Sequence, residues 1–220
     1  MPKLIAMEAT RILAIRHGET AWNVDTRIQG QLDIGLNDKG RWQAQRAARA
    51  LAEESVDAVY SSDLSRAHAT AQAIADHASL PLQVQKHTGL RERAFGKFEG
   101  QTYAAITEQW PEEARLWRIR DPDFAPVGGE SPVQVLARVA RTVDDIAARH
   151  LGEQIVLVSH GGVMDMLYRL ATQQSVSAPR TWELGNTAIN RLLWTPDGLT
   201  LVGWADTRHL DGEQRDEFGA

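Results

Sequence analysis

The sequence predicts an α/β domain in which a mostly parallel sheet is covered by helices on both faces. Three short apolar segments rich in β-branched residues, "RILAI" (11–15), "DAVYS" (57–61) and "IVLVS" (155–159), read as buried strands. Longer segments with helical spacing separate them, the alternation expected of strand–helix–strand units. With 220 residues and 43% apolar content, the chain is long enough to bury one sizeable core. A single domain spanning 1–220 is the expectation.

In chain order, "RILAI" ends abruptly in Arg16-His17-Gly18-Glu19-Thr20. "DKGRWQAQRAARALAEE" then follows a turn at Asn37 and is Ala-rich, hence helical. After "DAVYS", a second helix runs from Asp63 to Ala78, with Leu80-Pro81 as its stop. The stretch from about 90 to 130 breaks this rhythm with Trp110, Trp117, Phe124 and the exit "DPDFAPVGGESP"; it reads as a lid inserted over the sheet. Ser131-Pro132-Val133-Gln134 fits a capping box with Pro at the first helical position. Val133, Leu136, Ala140, Val143 and Ala147 form the expected apolar face of that helix. "IVLVS" runs into His160-Gly161-Gly162. "INRLLW" (189–194) and "LTLVGW" (199–204) flank the turn signal "TPDG" and predict a hairpin. The tail "WADTRHLDGEQRDEFGA" either folds back near the strand ends or is disordered.

Composition removes several function classes. A formal charge of -5 and the lack of any Lys/Arg stripe argue against a nucleic-acid partner. The absence of cysteine excludes disulfides and thiolate chemistry. The apolar patch Leu4 to Met7 is too brief for a signal-peptide core or a membrane span, so a cytoplasmic protein without a membrane partner is expected. Homo-oligomerisation is left open.

Ligands of open α/β sheets sit beyond the carboxyl ends of the strands. Those ends deliver Arg16-His17-Gly18, then Ser61-Ser62-Asp63-Leu64-Ser65-Arg66, then Ser159-His160-Gly161-Gly162. Two arginines and two histidines converging at helix N-termini describe a site for phosphate, whose paired oxygens match the guanidinium fork. Esterase-elbow and nucleotide-loop motifs are missing; the near miss at Gly96-Lys97 has Arg91 where the first glycine would fall. A metal on His17 and His160 would need further ligands and would be repelled by the arginines, so no metal and no cofactor are expected.

"IRHGETAWN", "SSDLSRAHATA", "LRERAFGKFEG" and "LVSHGGV", in this order and spacing, resemble the histidine phosphatase superfamily, which includes cofactor-dependent phosphoglycerate mutase. The resemblance spans about Ile12 to Met164. It implies a phosphoglycerate mutase-like fold, a three-layer α/β/α sandwich around a mixed sheet. It also implies metal-independent catalysis in which His17 takes the phosphoryl group while Arg16, Arg66 and His160 hold it. Asn23 matches a further phosphate contact, and Glu92 the family's proton donor; Glu19, Glu99 and Asp63 are rival carboxylates. Thr20, Gly161 and Arg93 join Asn23 as candidate substrate contacts. Trp22, Arg93, Phe95, Tyr103 and Trp117 are candidate walls of the leaving-group pocket.

Physically, Arg16 and Arg66 would keep the His17 imidazole neutral and offset the phosphoryl oxygens, and a protonated His160 would add further charge stabilisation. The family's mutases carry a longer segment after their version of "LRERAFG" and read "GALQG" where this chain has "GKFEG". The expectation is therefore a phosphomonoester hydrolase acting on a small phosphorylated metabolite. Phosphoryl transfer by a mutase and phosphate binding without turnover are the alternatives.

Overall fold

The computed structural model describes residues 8–78 and 82–211. Its six strands are β1 (Thr10–Arg16), β2 (Ala58–Ser61), β3 (Val84–Lys86), β4 (Gln154–Ser159), β5 (Ile189–Thr195) and β6 (Gly198–Asp206). They form one sheet in the order β3-β2-β4-β1-β5-β6, parallel from β3 to β1 and antiparallel from β1 through β6. The mostly parallel mixed sheet, with β5 and β6 as a hairpin, agrees with the sequence reading. Only β3 escaped it: a three-residue edge strand in which Val84 alone is apolar carries no period to read.

Successive strand residues point to opposite faces, and the two cores follow that period of two. Ile12, Ala14, Ile155 and Leu157 share one core with Val135, Val139, Val143 and Ile146 of α6 (Pro132–Ala147) and with Val163, Met164 and Leu167 of α7 (Gly161–Thr172). Leu13, Ile15, Val156 and Val158 share the other with Ala44, Ala48 and Leu51 of α2 (Asp38–Leu51) and with Ala67, Ala71 and Ile74 of α3 (Ser65–His77). The three-layer α/β/α sandwich follows, with each fully buried aliphatic side chain contributing about 1.5–3 kcal/mol of burial energy. A four-residue helix α1 (Ala21–Val24) lies between β1 and α2.

The helix boundaries sharpen the expectations. Asn37 caps α2 by accepting from Gly40 N, and the capping box at Ser131 is formed as predicted, with Gln134 reaching back. The apolar face of α6 is corrected in part: Val143 and Ala147 are buried as expected, but Val133 is 43% exposed, and the buried stripe runs on through Val135, Val139 and Ile146. Apolar residues flank both candidate faces, and the one carrying the larger branched side chains packs on the sheet. Helix α3 begins at Ser65 rather than Asp63: Leu64 is extended at the N-cap, and Asp63 before it accepts from Arg91 (2.8 Å). The expected stop at Leu80-Pro81 lies outside the described residues.

The segment expected to be a lid has its own small core. Phe98, Ile106 and Ala114 are buried in it and packed by Ile28, Phe95, Trp110, Trp117 and Phe124. Two short helices carry it, α4 (Tyr103–Gln109) and α5 (Pro111–Arg118). At the other end of the chain, His209 O accepts from Arg46 on α2, and residues 212–220 lie outside the described residues.

Candidate active site

Strand register brings the two histidines together. Arg16 pairs with Ser159 at the end of the parallel β1–β4 ladder, and His17 N donates to Ser159 O (2.9 Å) just beyond it. His17 and His160 are therefore neighbours at one sheet edge, with ring centroids 5.2 Å apart. Arg66 arrives from the first turn of α3 after β2. Asn186 clamps the His17 carbonyl (2.8 Å). Gly18 must be glycine, because a Cβ there would sit 2.3 Å from Gly40 O where α2 crosses the loop.

A cavity of about 170 Å³ at this edge is lined by Arg16, His17, Asn23, Arg27, Ile28, Gln29, Gly30, Arg66, Glu92 and Phe95. His17 Nδ1 lies 2.7 Å from Gly18 O. A carbonyl only accepts, so Nδ1 carries the proton and the lone pair is on Nε2. The His17 pKa is pushed well below its usual value, first by burial and then by Arg16 and Arg66. The expectation of a neutral imidazole thus holds, although burial outweighs the arginines. His160 is also pushed well below the usual histidine range, by burial first and then by His17, Arg66 and Arg16. Burial and the neighbouring cations thus oppose the charged form of His160, so any charge it lent to the phosphoryl group would have to be offset by that group.

The arginines are anchored at one end and open at the other. Arg66, fully buried, donates to Leu32 O (2.8 Å) and Gly30 O (2.7 Å), while Arg16 donates to Leu184 O. Buried without a partner among the described residues are Arg16 Nε, Arg66 Nε, Gln29 Oε1 and both ring nitrogens of His160. Buried polar atoms are rarely left unpaired, so such a concentration at one place is the signature of a polar ligand's seat.

Glu92 is the carboxylate that borders the cavity. Its oxygens accept from Gly162 N at the start of α7 (3.1 Å to each) and from Arg93 N (2.7 Å). A Cβ on Gly162 would fall 2.2 Å from Glu92 Oε1, so this glycine makes room for the carboxylate. The rivals are occupied elsewhere. Glu19 holds Asn37 and Lys39, Asp63 holds Arg91, and Glu99 accepts from Gln31 N and Phe95 N.

Of the candidate substrate contacts, Asn23 lines the cavity and Gly161 lines a larger one beside it. Thr20 lines neither of these cavities, and its hydroxyl caps α1 by accepting from Asn23 N (3.1 Å). The spacing Thr20-Ala21-Trp22-Asn23 is a variant of the capping box, the signal that could have revealed this. Arg93 lines the larger cavity, but its guanidinium also donates to Glu130 O (2.8 Å) and Phe124 O (3.2 Å), and burial lowers its pKa to about 10. Phe95 and Trp117 are cavity walls as expected, whereas Trp22 lies where a Cβ on Gly100 would touch it and Tyr103 bonds Arg118. Gln29, Asp165, Arg120 and Arg180 were not found in the sequence, since no motif or period marks them. Among the described residues no group of three His, Asp or Glu side chains could hold a metal ion, and no helix is long and apolar enough to cross a membrane.

The family model "Histidine phosphatase superfamily (branch 1)" matches residues 12–207. The chain belongs to the histidine phosphatase superfamily. It is 39% identical over 208 residues to phosphoglycerate mutase-like protein 4 of Arabidopsis thaliana, covering 93% of this chain and 89% of that protein. It is 36% identical to the metal-independent phosphoserine phosphatase of the same plant, covering 94% and 85%. Among solved structures, the native mycobacterial glucosyl-3-phosphoglycerate phosphatase superposes with a TM-score of 0.81 at 34% identity, over 90% of this chain and 100% of that one. The family and the sandwich fold expected from the sequence therefore stand.

Proposed function

We propose that this phosphatase hydrolyses a small phosphomonoester through a phosphohistidine formed on His17 Nε2. The observation that carries the proposal is the buried imidazole, its pKa held well below the usual histidine range, facing a cavity rimmed by guanidiniums with unpaired nitrogens and by one carboxylate, Glu92. In the first step Nε2 attacks phosphorus, the ester P–O bond breaks, and Glu92 gives its proton to the departing alkoxide. In the second, Glu92 as carboxylate takes a proton from water as that water attacks phosphorus, and the P–N bond breaks to release phosphate. Arg16, Arg66, Asn23 and His160 hold the phosphoryl oxygens, where charge lies in the transition state. His160 does so as a neutral donor, or as a cation once the arriving phosphate dianion offsets its burial.

The relatives named as phosphatases support hydrolysis over transfer, as does the brief "AFGKFEGQTY" segment before two short lid helices. Their named substrates, phosphoserine and glucosyl-3-phosphoglycerate, support a small phosphorylated metabolite here. A single-domain, cytoplasmic protein without a bound metal or cofactor completes this reading, in keeping with a cysteine-free sequence. The test is a phosphate-release assay over phosphomonoesters, run beside 3-phosphoglycerate isomerisation with and without a bisphosphate primer. Phosphate release is expected to dominate; primer-dependent isomerisation that far outruns it would reverse the choice.

A further inference from the structure

The larger cavity, of about 440 Å³, meets the phosphate cavity at Arg16 and Phe95, which line both. An ester whose phosphate rests against His17 directs its alcohol past Glu92 into this space. The room is generous. A three-carbon acid of six heavy atoms displaces roughly six waters, or roughly 180 Å³, less than half of what is there.

Its lining is charged in an uneven way. Arg16, Arg93, Arg120 and Arg180 face it, against Asp165 and, at the boundary with the phosphate cavity, Glu92. Arg169 stands behind, so Asp165 Oδ2 accepts from both Arg120 and Arg169 (3.2 Å to the latter). Arg120 is further held by Val176 O (3.1 Å), and Arg93 by its two lid carbonyls. Arg180 is different: it is exposed at the rim and has no hydrogen bond or ion pair among the described residues. Asp165 is 4% exposed, and its second oxygen, Oδ1, is buried without a partner among the described residues.

These two unmet groups define complementary requirements. A free guanidinium at the rim calls for an anion, and the planar fork suits a carboxylate. An unpaired buried acceptor calls for a donor, since leaving it bare costs about 1–3 kcal/mol. An ammonium could donate to it but would enter a pocket where guanidiniums outnumber carboxylates; a neutral hydroxyl donates without that repulsion. The Phe95 and Trp117 walls offer apolar faces for the carbon skeleton.

We propose that Arg180 and Asp165 make this cavity a subsite for a polyhydroxylated acid, whose carboxylate pairs with Arg180 and one of whose hydroxyls donates to Asp165 Oδ1. The substrate class is then the phosphate esters of sugar acids and of acids of similar size. This inference rests on the phosphatase reading above, and it adds two specificity-determining residues that no sequence motif marks.

The test compares kcat/KM values, each divided by that for 4-nitrophenyl phosphate, which offers neither carboxylate nor hydroxyl. The probes are 6-phosphogluconate, sorbitol 6-phosphate, which lacks the carboxylate, and 6-phosphonooxyhexanoate, which lacks the hydroxyls. Wild type is expected to favour 6-phosphogluconate at least tenfold over each, and 3-phosphoglycerate over its ammonium counterpart O-phosphoserine. Arg180→Gln, at an exposed position, should erase most of the preference over sorbitol 6-phosphate. Asp165→Asn should turn its amide oxygen to the arginines and present N–H₂ to the cavity, shrinking the preference over the hexanoate ester severalfold. If wild type hydrolyses 4-nitrophenyl phosphate but treats the three probes within twofold of one another, or if Arg180→Gln keeps the wild-type ratio, the subsite is wrong and the phosphatase stands. If wild type releases phosphate from no ester at all, the phosphatase reading itself fails.

Discussion

The sheet edge and the lid build adjoining halves of one site by opposite means. At the edge, Arg16, His17 and His160 stand at the ends of β1 and β4, whose central residues are buried on both faces, and their positions follow from ladder register. The lid half rests on a three-residue core sealed by aromatic rings, and its arginines are tied to nearby carbonyls. The edge keeps polar atoms unpaired for phosphate; the lid pairs its arginines, and the two open groups beside it, Asp165 and Arg180, stand on α7 and on the loop before β5. Chemistry is thus fixed by the sheet and selectivity by the lid and rim, so damage to each should read out differently.

The largest effect should come from the lid core. Phe98→Ala removes a fully buried ring that touches Trp110, Trp117 and Phe124, and such truncations cost about 3–5 kcal/mol. Urea unfolding should show that loss, with protease cleavage beginning between 95 and 130 before the sheet is cut. Simultaneous cutting throughout the chain would mean that lid and sheet unfold as one unit. Next, Arg66→Met removes an anchored guanidinium from the phosphoryl oxygens and should lower kcat about 10²–10³-fold, the scale for a lost transition-state donor. A change confined to KM would show that Arg66 binds ground and transition states equally.

Gly162→Ala distinguishes the proton donor from the phosphate holders. Its methyl collides with Glu92 Oε1, so kcat for an alkyl phosphate should fall about 10–100-fold. For 4-nitrophenyl phosphate, whose leaving group needs no proton, the fall should be far smaller. Equal losses on both would take Glu92 out of that role. The smallest effect is on stability against pH. His17 and His160 resist protonation when folded but accept a proton near pH 6.5 when unfolded, so the unfolded chain binds more protons in acid. Stability should therefore fall as pH drops below about 6.5, by up to about 1.4 kcal/mol per pH unit for each histidine. Replacing His160 by Asn should remove its share of that slope.

The two halves also differ in how far they could be read in advance. His17 and His160 were legible because each follows a continuous apolar strand and precedes glycine, and parallel pairing of those strands makes them neighbours. Arg66 was legible because it lies in the first turn of the helix that follows another such strand, β2. Glu92 needed the resemblance, since Glu19, Glu99 and Asp63 look alike in the sequence and only the fold shows each of them engaged elsewhere. Asp165, Arg120 and Arg180 could not be read: they come from α7, from the end of α5 and from the loop before β5, and only tertiary packing gives them a common cavity. Thr20 shows the opposite case: its hydroxyl has a local capping role on α1 that the motif alone did not single out.

The central claim is the covalent step at His17. Rapid quenching after mixing with a ³²P-labelled phosphomonoester should trap one phosphoryl group per active site on wild type, stable in base and lost in acid, and none on His17→Ala. An acid-labile phosphoenzyme that persists in His17→Ala, or hydrolysis by that variant at the wild-type rate, would contradict the account.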